Sequence, residues 1–146
     1  MPRKFKGQRL EWSEETLQWA ISSIKSNLTR DLVPSNWKLA NSQNPLGGHC
    51  HNATGALYML FGPEYLQIYS GPTIPDPAAP DNGLHFWCVR KDNDQIIDIT
   101  EAQYRLGYDY SVGRKSVMLG HSPYYNAKEV YNRVLSEYNG TTIKLF

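Results

Sequence analysis

Cysteine is scarce in this chain: only Cys50 and Cys88 occur among 146 residues. Two thiols cannot build a disulfide-dense scaffold, so the fold must rest on an apolar core. An excess of either charge is also lacking, since 15 basic and 14 acidic residues leave a net charge of +1. No basic field marks a nucleic-acid or anionic-membrane partner, and Lys4 with Lys6 makes only a small solvated cluster. Long apolar runs are missing as well. The longest, residues 56–61, falls far short of the roughly 20 residues that a membrane-spanning helix needs. The opening Met1-Pro2-Arg3-Lys4-Phe5-Lys6-Gly7-Gln8 has no apolar stretch of the signal-peptide kind, so a cytoplasmic chain with reduced thiols is expected.

Aromatic residues, by contrast, are plentiful, with four Trp and ten Tyr. Some belong to a core, while others can line a groove with one apolar and one polar edge. The length suits a single domain, residues 1–146, with residues 1–12 expected as a flexible tail. No internal repeat or low-complexity tract interrupts it.

Ser13 followed by Glu14 and Glu15 reads as a helix start, with Trp12 able to staple onto Leu17. Leu17, Ala20, Ile21, Ile24 and Leu28 then recur at helical spacing. A second helix is expected over residues 50–61, stopped by Gly62-Pro63, and a strand over 65–70. Residues 71–83, with Pro72, Pro75, Pro77 and Pro80, read as a long ordered loop that could wall a cleft or simply connect two strands. Residues 84–90 and 95–100 read as strands around the polar turn Lys91-Asp92-Asn93-Asp94. Thr100-Glu101-Ala102-Gln103 matches a capping box that opens a short helix ended by Gly107. A strand near 116–119 and a last helix over 126–138, with Val130, Val134 and Leu135 inward and Gly140 beyond its end, complete an α+β order.

Gly47-Gly48-His49-Cys50 sets a thiol at the first turn of the second helix. Unpaired N–H groups and partial positive charge at a helix N-terminus favour thiolate. Downstream, an even loop between the two strands gives opposed positions an odd sum, so His85 and Asp98 share one sheet face, one diagonal step apart. Trp87 shares that face, whereas Leu84, Phe86 and Cys88 share the other. A loop of odd length would reverse the result. Asp98 can then hold one imidazole nitrogen and aim the other at a helix packed on the same face, with Cys50 at its tip. Cysteine, histidine and acid are the parts of a thiol nucleophile with its base and orienter. The bland alternative is a small buried cysteine and a packed polar histidine.

Asn44 can join the Cys50 N–H as a donor to the tetrahedral oxyanion, with Gln43 and His49 as competitors, although Asn44-Pro45 is equally suited simply to shape a turn. Trp87 and Tyr69 are candidate cleft walls. A metal site would draw on His49, Cys50, His51, His85, Cys88 and His121, but His49-Cys50-His51 lacks the usual ligand spacing and Cys88 faces away from His85. No metal or other cofactor is expected, nor a Cys50–Cys88 disulfide.

The chain resembles the YunG-like family of small bacterial and phage proteins. The resemblance runs over residues 36–104 and is carried by Trp37, Asn44-Pro45-Leu46-Gly47-Gly48-His49-Cys50, His85-Phe86-Trp87-Cys88 and Ile97-Asp98-Ile99-Thr100-Glu101-Ala102-Gln103-Tyr104. Two positions depart from the family pattern: His49 stands where Gln precedes the cysteine, and Cys88 replaces an Asn. The resemblance implies a papain-like fold in the broad sense shared with NlpC/P60 and transglutaminase domains, a helix layer on an antiparallel sheet, with Cys50, His85 and Asp98 as triad. The expected function is a cysteine hydrolase (peptidase, amidase or deamidase) acting on a protein, peptide or other amide through a Cys50 thioacyl intermediate. The alternatives are a transglutaminase-like acyl transferase and a non-enzymatic binding or metal-binding module.

Overall fold

A computed structural model of the chain describes residues 7–33, 38–44, 46–73, 84–104, 107–116 and 122–140. Four helices are described, α1 (Glu14–Ser26), α2 (Lys38–Gln43), α3 (Cys50–Phe61) and α4 (Ser122–Gly140). Strands β1 (Leu66–Pro72), β2 (Leu84–Arg90), β3 (Ile96–Ile97) and β4 (Arg114–Ser116) form one antiparallel sheet in the order β3-β2-β1-β4. The architecture is α+β.

Local chemistry sets the helix limits. The Ser13 hydroxyl accepts the Thr16 N–H and caps α1, whose Leu17, Ala20 and Ile24 are buried. Gly62 donates its N–H to the Tyr58 carbonyl and closes α3. Ten of the twelve α3 residues are buried, so α3 is a central helix rather than a half-exposed one. Leu57 and Leu60 on α3 share one core with Leu17 and Ile24 on α1, Val130 and Val134 on α4, and Leu66, Ile68, Cys88 and Ile97 on the sheet.

The sheet register follows from the β2–β3 loop. Arg90 donates its N–H to the Gln95 carbonyl across a four-residue loop, and Cys88 opposes Ile97. On the neighbouring side Ile68 opposes Cys88 and Gly71 opposes His85. One face therefore carries Ile68, Cys88 and Ile97 toward the helices, and the other carries Tyr69, His85 and Trp87. The helices pack on the Cys88 face, where the Cys88 thiol meets the Thr54 carbonyl at 3.8 Å and Phe86 packs edge-on against His51 at 4.9 Å. This corrects the expectation that α3 lies on the His85 face. Apolar Leu66, Ile68, Cys88 and Ile97 form the broader hydrophobic surface, and burial selects it.

Several boundaries differ from those read in the sequence. Residues 8–12 are docked rather than a loose tail: Leu10 is buried, its N–H reaches the Leu60 carbonyl at 2.8 Å, and Tyr131 donates to the Gln8 carbonyl. Trp12 stacks on Tyr65 at 4.8 Å and lies under the Arg90 guanidinium, which also pairs with Glu14 and Asp92. Gly71 and Pro72 extend β1 instead of starting the proline-rich loop, of which residues 74–83 lie outside the described residues. The second strand of the hairpin stops at Ile97, because the Asp98 carboxylate takes the Thr100 N–H and turns the chain. Thr100 caps no helix with its side chain, and a single 3₁₀ turn, Glu101–Gln103, follows it. α4 starts four residues earlier than expected and includes Gly140.

The face opposite the helices is covered by residues 107–113. Tyr108 and Tyr110 pack edge-on against Trp87 at 5.4 and 5.2 Å, leaving Trp87 1% exposed. Gly113 makes this close approach possible. A Cβ added there would lie 2.3 Å from the Trp87 ring. Gly113→Ala is therefore expected to lower stability by about 1–3 kcal/mol, as overpacking does, measured by urea unfolding, and to weaken the near-ultraviolet tryptophan signal.

Candidate functional site

Cys50, His85 and Asp98 come together where the N-terminus of α3 meets the start of β2. Gly48 adopts φ +81°, a conformation suited to glycine, and lets the chain turn sharply into the helix. Asn41 braces this loop by donating its amide to the Gly47 carbonyl at 3.0 Å. The N-cap residue His49 gives α3 no side-chain cap, and the first turn holds no acid. The leading N–H groups beside the sulfur are thus not taken by the residue that precedes it. Cys50 is 7% exposed, its thiol donates to the Leu84 carbonyl at 3.6 Å, and it lies within electrostatic reach of the His85 ring. Sequence parity anticipated the shared face of His85 and Asp98. The thiol, however, reaches His85 around the end of β2, because its helix lies on the other face.

His85 is fully buried, and its Nε2–H donates to Asp98 Oδ2 at 2.6 Å. Asp98 is held on all sides. Its Oδ2 also accepts the Tyr110 hydroxyl at 2.8 Å, and its Oδ1 accepts the Thr100 N–H at 3.2 Å and the Thr100 hydroxyl at 3.4 Å. Gln103 donates its amide to the Thr100 hydroxyl at 3.0 Å and lies 3.2 Å from His85 Nδ1. In the neutral ring Nδ1 accepts that amide. A second ring proton makes Nδ1 a donor, and the amide must then turn its oxygen inward.

Burial by itself would push His85 toward the neutral form. The hydrogen bond to Asp98, the hydrogen bond and charge of Cys50, and the charge of Asp98 outweigh it and hold His85 up at about 9. Aromatic rings close the site. Tyr104 meets His85 edge-on at 4.8 Å, and Tyr108 lies against it at 4.7 Å. Burial raises Tyr108 to about 12 and pushes the phenols of Tyr104 and Tyr110 further upward.

The other sequence candidates have different places. The Asn44 amide donates to the Ala102 carbonyl at 2.9 Å while its oxygen accepts the Leu46 N–H, so it joins two loops instead of facing the sulfur. His49 is fully buried, with Nδ1 on the Asn52 amide at 3.2 Å; burial lowers it to about 4, so its ring is neutral. Trp87 is a floor beneath two tyrosines rather than a cleft wall, and half-buried Tyr69 stacks on it at 6.2 Å. The Gln43 side chain, Trp37 and His121 lie outside the described residues. Cys50 and Cys88 are both free thiols. Among the described residues no three His, Cys, Asp or Glu side chains gather as a metal ion would require, and no helix is long and apolar enough to cross a membrane.

Sequence reasoning missed the roles of Gln103, Tyr104, Tyr108 and Tyr110. Gln103 and Tyr104 lie in the stretch that carries the family resemblance, and the signal for Tyr108 and Tyr110 was tyrosine density just after Asp98. Neither protein-family models, curated proteins nor solved structures give a match to this chain.

The raised His85 value predicts a pH dependence of stability. A group that binds its proton more tightly when folded contributes fully below its ordinary value of 6.5, and that contribution fades as pH rises toward about 9. Urea unfolding should show stability falling across this window, and His85→Gln should flatten the slope.

Proposed function

We propose that the protein is a papain-like cysteine enzyme that cleaves an amide through a thioacyl intermediate on Cys50. The observation that carries this reading is a buried imidazole hydrogen-bonded to a carboxylate at 2.6 Å through one nitrogen and interacting with a helix-initial thiol. A packed structural histidine needs no thiol at a helix start beside it, and a structural cysteine needs no base. The resemblance to YunG-like proteins, carried by the same three residues, supports the same assignment.

In the proposed cycle Cys50 passes its proton to His85, and the sulfur attacks the substrate carbonyl carbon. Asp98 keeps its hydrogen bond to Nε2–H, which fixes the tautomer and stabilises the imidazolium. Collapse of the tetrahedral intermediate breaks the carbon–nitrogen bond, and the leaving amine takes the proton from His85. Water then attacks the thioester with His85 as base, releasing the acid and the thiol. Free thiol chemistry of this kind suits a reducing, cytoplasmic setting.

Iodoacetamide labelling near pH 6, followed by mass spectrometry, tests the assignment. Cys50 should react first, because Cys88 is completely buried and its thiol is pushed up by that burial. His85→Ala should slow labelling on the order of tenfold or more, because the imidazolium that favours the Cys50 thiolate is lost. Asp98→Asn should slow it while the fold persists, since Asn can hold the ring in the wrong tautomer. Preferential labelling of Cys88, or indifference to His85→Ala, would overturn the reading.

A further inference from the structure

Tyr104 follows the 3₁₀ turn that Asn44 ties to the loop preceding Cys50. Its ring stands edge-on to His85 at 4.8 Å. Its hydroxyl oxygen is buried and has no hydrogen-bond partner among the described residues. The neighbouring phenols are engaged: Tyr108 donates to the Pro72 carbonyl at 2.7 Å, and Tyr110 donates to Asp98 at 2.8 Å. A buried hydroxyl without a partner is unfavourable and uncommon in native structures. Such groups persist where a ligand supplies the missing partner. Burial pushes this phenol upward, and the charge of Cys50 adds to the shift, so the two groups share one electrostatic environment.

We infer that the Tyr104 hydroxyl is a catalytic hydrogen-bond donor to the carbonyl oxygen of the acyl group attacked by Cys50. The inference rests on the reading of Cys50 as the acyl-accepting thiol and adds a donor to which sequence reasoning gave no role. When the Cys50 sulfur bonds to the carbonyl carbon, the carbon–oxygen π pair moves onto oxygen. The Tyr104 O–H donates to that oxyanion without transferring its proton, which the upward-shifted phenol retains. The uncapped first turn of α3 contributes the second set of donors. As the carbonyl re-forms, the oxyanion lone pair returns and the leaving group departs. Tyr104 thereby takes the place that sequence reasoning offered to Asn44, whose amide makes the contacts described above.

Two reactions at the same sulfur separate this role from others. Acylation by p-nitrophenyl acetate passes through an oxyanion, whereas alkylation by iodoacetamide displaces iodide from a saturated carbon and forms none. Wild-type protein should release a burst of p-nitrophenolate that Cys50→Ala abolishes. Tyr104→Phe should slow that burst on the order of 100-fold, as removal of an oxyanion donor does, and leave the alkylation rate unchanged. Because the hydroxyl has no partner among the described residues, Tyr104→Phe should not lower the melting temperature. Tyr110→Phe, which strips a hydrogen bond from Asp98, should instead slow both reactions. A wild-type burst rate in Tyr104→Phe would overturn the donor role and leave Cys50 standing as nucleophile. Equal slowing of both reactions by Tyr104→Phe would show a structural role and overturn it too. Absence of a Cys50-dependent burst in wild-type protein would remove the nucleophile reading and this inference together.

Discussion

The site depends on one buried contact, the 2.6 Å hydrogen bond between His85 and Asp98, whose side chains are 0% and 1% exposed. Removing a carboxylate and an imidazole from water is costly unless every remaining lone pair finds a donor. Asp98 meets that condition with the Thr100 backbone, the Thr100 hydroxyl and Tyr110, and the ring edge is enclosed by Tyr104 and Tyr108. The early end of β3 follows from the same demand. A carboxylate in a regular strand could not collect the N–H of the residue two positions ahead, so the ladder stops at Ile97 and the chain turns.

How much of this was legible in the sequence depended on which physical rule governed each element. The limits of α3 and β2 matched because they rest on short-range signals: a glycine pair before Cys50, Gly62 after Phe61, and β-forming residues over 84–90. Parity placed His85 and Asp98 together, since a four-residue loop leaves one register open to the strands. The face chosen by α3 was not legible. His85 and Trp87 alternate with Phe86 and Cys88, and both rows look amphipathic from the sequence alone. The decision came from β1 and β3, whose Ile68 and Ile97 join Cys88 to form the apolar side.

The irregular stretch from Thr100 to Gly113 was the least legible. Capping-box spacing at Thr100 and Gln103 suggested a helix, yet both side chains are drawn into the network around Asp98 and His85. The matching spacing had a different cause, because three residues of separation also let Gln103 reach back over one tight turn. Tyr108 and Tyr110 answer a need created only in three dimensions: the sheet face without helices must still bury Trp87. Local consistency thus fails in the segment that surrounds the candidate site, where function competes with regular structure.

The bond from Asn44 to the Ala102 carbonyl has a mechanical meaning. The segment ahead of the thiol and the turn behind the acid belong to different layers, one leading into a helix and the other leaving a strand. The Asn44 amide fastens them. Displacement of one segment alone would break this bond, so the loop before Cys50 and the turn after Asp98 are held in register. Layers in such folds commonly shear past one another when the surface is loaded. Here the strap opposes such shear between the loop before Cys50 and the turn after Asp98.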